Sequence, residues 1–214
     1  MKSKNIFICI FLLGFQLITL GQNWNRVLNG ENLFCIKWLN TNVGFAGGSN
    51  GLILKTTNGG TDWEAQNTGF LSSAVNCDFV SISIVNDNII YASTDGMSTT
   101  GYQLYKSTDG GATWSRVVNP VYYGAFRAIH FFDVNNGIAV GSSGSSAAIF
   151  KTTDGGVTWS TKLTDSGHLM FTSVCFPSAS VGFAVGDRVE TSTSPGMIYK
   201  TTDGGNTWTK NYTP

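Results

Sequence analysis

Residues Lys151 to Trp159 read KTTDGGVTW, and three other stretches say nearly the same thing: Lys55 to Trp63 (KTTNGGTDW), Lys106 to Trp114 (KSTDGGATW) and Lys200 to Trp208 (KTTDGGNTW). The tryptophans are spaced by 51, 45 and 49 residues. That period is the length of one four-stranded propeller blade and is too long for the shorter solenoid units. Each copy therefore marks one blade, and the fold class expected is all-β.

Outward from the nonapeptide the same grammar recurs. The fourth copy is preceded by Phe171 to Phe176, a turn, Gly182 to Gly186, a loop, and Met197 to Thr201. The first has Phe34 to Trp38, Gly44 to Gly48 and Leu52 to Thr56, and the third has Arg127 to Phe131, Gly137 to Gly141 and Ala148 to Thr152. The second diverges more, and its strands are placed at Val75 to Phe79, Ile89 to Ser93 and Gln103 to Ser107. Short apolar runs divided by Gly, Ser, Asn and Asp clusters read as strands, with no sustained helical period. The fourth strand of each blade is expected to start at the tryptophan.

The nonapeptide itself makes sense as a hairpin between third and fourth strands, because two glycines supply left-handed conformations without Cβ strain. The carboxylates of Asp109, Asp154 and Asp203 can accept from turn N–H groups that the sheet cannot satisfy. The hydroxyls of Ser107, Thr152 and Thr201 add local bonds. Asn58 replaces the aspartate in the first copy, and its amide oxygen can accept the same bonds. Trp63, Trp114, Trp159 and Trp208 then cover the polar turns.

In the order Ser/Thr-x-Asp-x-Gly-x-x-Trp these residues resemble the Asp-box, or BNR repeat, of sialidases, sortilin-type receptors and some glucanases. The longer units, VGFAVGD followed by MIYKTTDGGNTW, more closely resemble the photosystem II stability and assembly factor family and its secreted bacterial relatives. The similarity covers residues 24 to 209. It implies a β-propeller in which the box is structural and lies away from the binding face, so no catalytic residue is carried over with it. Trp24, within Asn23 to Val27, reads like a fourth strand that has lost its box, which makes 17 candidate strands for four blades. Relatives close with more blades than four. An open arc or partial propeller is therefore favoured over a closed four-bladed ring, with closure by self-association or by a missing portion of chain.

Before the repeats, Met1 to Lys4 carries two lysines and Ile6 to Leu20 is almost unbroken apolar sequence, the layout of a secretory signal peptide. Fifteen residues fall short of the ~20 that a spanning helix needs. Thr19 and Gly21 fit cleavage after Gly21, giving a leader at 1–21 and a single domain at 22–214, secreted or held in the periplasm or cell envelope, with no integral membrane segment. Cys9 lies too early in the apolar run for lipid attachment. Loss of Lys2 and Lys4 leaves 11 basic against 13 acidic residues, so no basic footprint points to nucleic acid. Cys35, Cys77 and Cys175 are read as buried small apolar side chains, since no pair has metal-ligand spacing. No metal and no cofactor are expected.

In a propeller the loops leaving the fourth strand and those between second and third strands crowd the face opposite the boxes. This places Arg116, Tyr122, Tyr123, Arg127, His168 and Arg188 there as candidate binding residues, with Asp95, Tyr102, Asp187 and Glu190 nearby. Aromatic and arginine side chains suit binding because they combine contact area with directional donors. A sialidase would need an arginine trio, a tyrosine nucleophile with a glutamate, and an aspartate acid. The mature chain has four arginines (Arg26, Arg116, Arg127, Arg188) and three glutamates (Glu31, Glu64, Glu190), and Arg127-Ala128-Ile129 departs from the Arg-Ile-Pro motif. A glucanase would need two carboxylates across a cleft, yet three aspartates sit in boxes and Asp133 in a turn. His130 is aligned with Lys37, Asp78 and Cys175, beside Trp38, Phe79, Phe131 and Phe176, as a packing or channel-lining position.

The leading expectation is a non-catalytic scaffold with a protein partner. A carbohydrate-binding or sialidase-like hydrolytic propeller with a glycan ligand is the alternative. A third reading is a fragment of a longer propeller without independent activity.

Overall fold

Sixteen strands, in four antiparallel sheets of four, account for the described part of the chain. A computed structural model describes residues 32–69, 77–95, 103–117, 124–187 and 196–211. The leader, the Trp24 strand, Tyr102, Tyr122, Tyr123, Arg188 and Glu190 lie outside these ranges.

Blade 1 runs β1 (Leu33–Trp38), β2 (Gly44–Gly48), β3 (Ile53–Thr56) and β4 (Glu64–Ala65). Blade 2 runs β5 (Asp78–Ile84), β6 (Ile90–Asp95), β7 (Leu104–Ser107) and β8 (Ser115–Arg116). Blade 3 has β9 (Ala125–Phe131), β10 (Gly137–Ser143), β11 (Ser146–Thr152) and β12 (Ser160–Asp165). Blade 4 has β13 (Met170–Cys175), β14 (Gly182–Asp187), β15 (Met197–Thr201) and β16 (Thr209–Lys210). In every sheet the strands lie side by side in chain order, the meander of a propeller blade. Among the described residues the one helical turn is the 3-10 segment Ser49–Gly51.

Blades 1, 3 and 4 carry their strands within a residue or two of the expected positions, and the fourth strands begin one residue after each tryptophan. Blade 2 corrects the sequence reading. Its first strand is Asp78–Ile84, in place of Val75 to Phe79. The register pairs Ser83 with Tyr91 in blade 2, His130 with Ile138 in blade 3, Cys175 with Phe183 in blade 4 and Lys37 with Phe45 in blade 1. The residue equivalent to His130 in blade 2 is therefore Ser83, and the alignment with Asp78 and Phe79 does not hold. The cause is chemical. Ser81 and Ser83 point into the next blade and accept N–H bonds from Ile129 (3.1 Å) and Phe131 (2.8 Å). One half-buried and one buried hydroxyl thus interrupt the apolar pattern that marks the other inner strands.

Blade packs on blade through alternating strand faces. Phe45 and Ile53 meet Phe79, Ile82 and Ile90 between blades 1 and 2. Tyr91 and Leu104 meet Phe126, Ile129 and Phe131 between blades 2 and 3, with the Tyr91 and Phe131 rings stacked at 3.7 Å. Ile138, Val140 and Ile149 meet Phe171, Met197 and Tyr199 between blades 3 and 4. The inner strands follow one another in the same order, β1 against β5, β5 against β9 and β9 against β13. Among the described residues no hydrophobic cluster joins blade 4 to blade 1. Among the described residues the four blades form an arc, and its two end faces pack on no other blade.

The boxes lie along one edge of this arc. Each is tied to the β1–β2-type turn of its own blade by a bond from its first glycine N–H: Gly59 to Asn42 O, Gly110 to Asn88 O, Gly155 to Asn135 O and Gly204 to Ser180 O. Their tryptophans close the turns: Trp114, Trp159 and Trp208 are buried and donate Nε1–H to Gly111, Gly156 and Gly205 carbonyls. Trp63 is half-buried and meets Trp38 edge to face.

Candidate binding surface

The loop edge opposite the boxes collects the other strand ends, and the sequence-nominated residues divide there into three groups. Arg116 is exposed on β8, paired in register with Tyr105. The Tyr105 hydroxyl donates to Gln103 Oε1 at the start of the same hairpin, and burial, with smaller electrostatic contributions, pushes the phenol well above its usual range. It stays neutral and acts as a donor.

Arg127 occupies the position skipped in the register between β9 and β10, and it is half-buried. Its Nε–H points to the Met170 sulfur at 3.2 Å, at the start of the next blade's inner strand. The bulge aims this side chain along the seam between blades 3 and 4.

His168 is buried, at 8% exposure. Its Nδ1 lies 2.8 Å from Asp165 Oδ2, which also accepts from the Tyr199 hydroxyl at 2.7 Å. Burial raises the Asp165 pKa, but the Tyr199 hydroxyl, the Gly167 N–H and His168 together hold it below the ordinary carboxylate value. Tyr199 is pushed up to about 12 by burial and by that same carboxylate. Asp165, His168 and Tyr199 therefore act as a clip between the end of blade 3 and blade 4, reinforced by the Ala147 N–H to His168 carbonyl bond. The segment D-S-G-H is the sequence signal that could have found it, because Asp165 accepts from Gly167 N–H two residues on, an Asx turn.

Along the inner strands His130 sits against Phe132 and Phe176, ring centroids 4.9 and 5.0 Å away. Burial lowers its pKa and the nearby Lys37 ammonium lowers it further, so the imidazole is neutral at physiological pH. Of the thiols, Cys77 is buried and Cys35 is half-buried, pushed up to about 11 by burial. Cys175 is exposed, against expectation, because no blade among the described residues covers the far side of β13.

Five of the acids are occupied structurally. Asp109, Asp154 and Asp203 hold their boxes, Asp133 caps its turn through the Asn135 and Asn136 N–H groups, and Asp165 holds the clip. Among the described residues no three His, Cys, Asp or Glu side chains gather as a metal site.

Comparison with known families now resolves what this arc of boxed blades is. A family profile described as photosynthesis system II assembly factor YCF48 matches residues 19–170 and again 120–212. The chain belongs to that family. Solved structures agree in fold. The structure "YCF48 bound to D1 peptide" superposes with a TM-score of 0.62 at 19% identity, covering 85% of this chain and 53% of that one. YCF48 from Cyanidioschyzon merolae gives 0.63 at 23% identity, covering 87% and 58%. The GH74 enzyme of Niastella koreensis gives 0.63 at 20%, covering 83% and 30%. The chain thus spans a little over half the length of the two YCF48 structures. No curated protein matches the sequence.

Proposed function

We propose that this YCF48-family arc is a non-catalytic scaffold, exported by its 1–21 leader, that binds a segment of a protein partner on the loop edge opposite the boxes. The observation that carries this reading is family membership together with a structural relative, YCF48, that is bound to D1 peptide. The chemistry of the edge supports it. Arg116 offers an exposed guanidinium, and the half-buried Arg127 is a cation held on the seam between blades 3 and 4 against Met170. Guanidinium groups recognise peptide carboxylates and carbonyls through directional donors. The engagement of Asp109, Asp154, Asp203, Asp133 and Asp165 in turns and the clip commits five of the thirteen acids to structure, whereas glycoside hydrolysis needs two free carboxylates facing each other across a cleft.

A glycan reading rests on the GH74 relative, whose fold superposes as well as that of the YCF48 proteins. One experiment separates the two. Mature residues 22–214 and an Arg116→Ala/Arg127→Ala variant are used to capture material from a cell-envelope extract of the source organism, with and without glycan removal, and both are assayed on xyloglucan. A discrete protein retained by the wild type regardless of glycan removal, and lost with the variant, supports the scaffold. Release of oligosaccharide, or binding that disappears with the glycans, overturns it.

A further inference from the structure

The two free ends of the arc are complementary halves of the interface that the chain already forms three times within itself. By register, Leu33, Ile36 and Trp38 of blade 1 correspond to Phe126, Ile129 and Phe131 of blade 3. The blade 3 residues are 5%, 5% and 3% exposed against blade 2; the blade 1 residues are 52%, 57% and 41% exposed. At the other end, Val185 corresponds to Val140, which is fully buried between blades 3 and 4, yet Val185 is 38% exposed. Phe183 and Ile198 beside it are half-buried, where Ile138 and Ile149 are fully buried. Repeat arrays ordinarily end in blades or caps with a polar outer face. Here both ends are apolar.

The polar groups match as well. Lys55 donates across the blade 1–2 seam to the carbonyl of Gly110, the first glycine of the next box (2.7 Å), and Lys151 does the same to Gly204 (2.9 Å). Lys200 is the equivalent lysine of blade 4; it lies over the Phe183 ring at 5.8 Å, and the glycine it is matched to by the repeat is Gly59 of blade 1. Phe45 packs so closely under Gly111, and Ile138 under Gly205, that a Cβ would collide at 2.5 Å in each case. Phe183 holds the same position in blade 4, and around Gly60 in blade 1 the nearest side chains are that blade's own Trp38 and Trp63. Ser81 accepts the Ile129 N–H, and the register places Ser173 to accept the Ile36 N–H in the same way.

We propose that the occupant of each free face is a second copy of this chain: blade 4 of one copy docks on blade 1 of the other, and two copies close an eight-bladed ring. The argument is continuity with an established interface, since each end presents what the other lacks. Two arcs of four give eight blades, within the usual range for propellers, and three would exceed it. A head-to-tail contact that closes by rotation makes a ring and otherwise a filament.

The test uses the mature chain with Ile36→Arg, Val185→Arg and, as a second probe of the blade 4 face, Lys200→Glu. All three residues sit on the open faces, and near-ultraviolet circular dichroism checks that each variant is folded. Light scattering is expected to give twice the chain mass for the wild type and the chain mass for each variant alone. Mixing Ile36→Arg with Val185→Arg leaves one intact blade 4 face opposite one intact blade 1 face, so a one-to-one dimer is expected to reappear. A wild type that remains monomeric across the dilution series overturns the proposal. So does a dimer that neither face disrupts, or one that mixing fails to restore, since a contact between two like faces could not be rescued that way. Capture of an envelope protein at the arginine edge is a separate result, so either proposal can fail alone.

Discussion

At the residue scale the box is a closed set of bonds. Ser107 Oγ donates to Asp109 Oδ1 at 2.8 Å while accepting the Gly111 N–H, and Asp109 accepts the Thr113 N–H at 2.9 Å and its hydroxyl at 2.6 Å. Bonds from the Thr113 hydroxyl and N–H lead the effects that depress Asp109 to about 2, and Asp203 falls further for the same reason. A carboxylate whose folded pKa is depressed contributes stability above its unfolded value, ~4, and loses it as pH falls through the folded value. Denaturant midpoints are therefore expected to hold from neutral pH down to ~5 and to drop between ~4 and ~2, and Asp109→Asn should flatten that slope. Blade 1 solves the same turn differently. Asn58 Oδ1 accepts from Thr56 and from the Asp62 N–H, and Asn58 Nδ2 donates to Asp62 Oδ2 at 2.8 Å. The acid has moved from position four to position eight of the box. The acceptor role of Asn58 was legible in the sequence; the exchange with Asp62 was not, because it requires the turn to bring residues four apart face to face. Asn58→Asp alone sets two carboxylates against each other and is expected to cost about 1 kcal/mol. Adding Asp62→Thr recreates the box of the other blades and should recover most of that loss, a coupling that a double-mutant cycle by chemical denaturation measures directly.

At the element scale the hairpins impose two distinct demands on glycine. Gly156 has φ +89° and a Cβ there would meet Leu104 Cδ2 of the preceding blade at 2.3 Å. Gly144, at the tip of the β10–β11 hairpin, has φ +59° and open space around it. Gly156→Ala combines backbone strain with a clash in a packed seam and is expected to cost about 2–4 kcal/mol. Gly144→Ala carries the conformational part alone, about 1 kcal/mol. Thermal melts of the two variants test whether the box glycines are set by packing as well as by turn geometry; equal losses would count against packing. The boxes made three blades readable to within a residue or two because their strands obey the apolar alternation. Blade 2 was misplaced at its first strand because Ser81 and Ser83 serve their neighbour's backbone, and a hydroxyl that satisfies a buried N–H looks, in sequence, like a surface residue. The candidate edge was less legible still. Arg116 and Arg127 reach it, but whether a histidine in a connection faces outward depends on partners in other strands, and His168 is drawn inward by Asp165 at its side and by Tyr199 through that carboxylate.

For the whole molecule, stability should follow position along the arc, since each blade gains free energy chiefly from its neighbours and an end blade has one fewer. The fully buried residues of β10 and β11, Ile138, Ala139, Val140 and Ile149, are covered on both faces. Leu33, Ile36 and Trp38 leave one face of β1 in water. Hydrogen exchange by mass spectrometry is therefore expected to show slowest exchange in β10 and β11 and fastest in β1, when measured in dilute solution or on the Val185→Arg variant. Local opening of an end blade requires giving up a single interface. Raising the concentration of the wild type should slow β1 toward the rate of its structural equivalent β9, because docking against blade 4 of a second copy restores the missing neighbour, while β10 and β11 stay unchanged. If β1 already exchanges as slowly as β9 at the lowest concentration, the end blade is held by contacts within its own chain, and the two ends do not need each other.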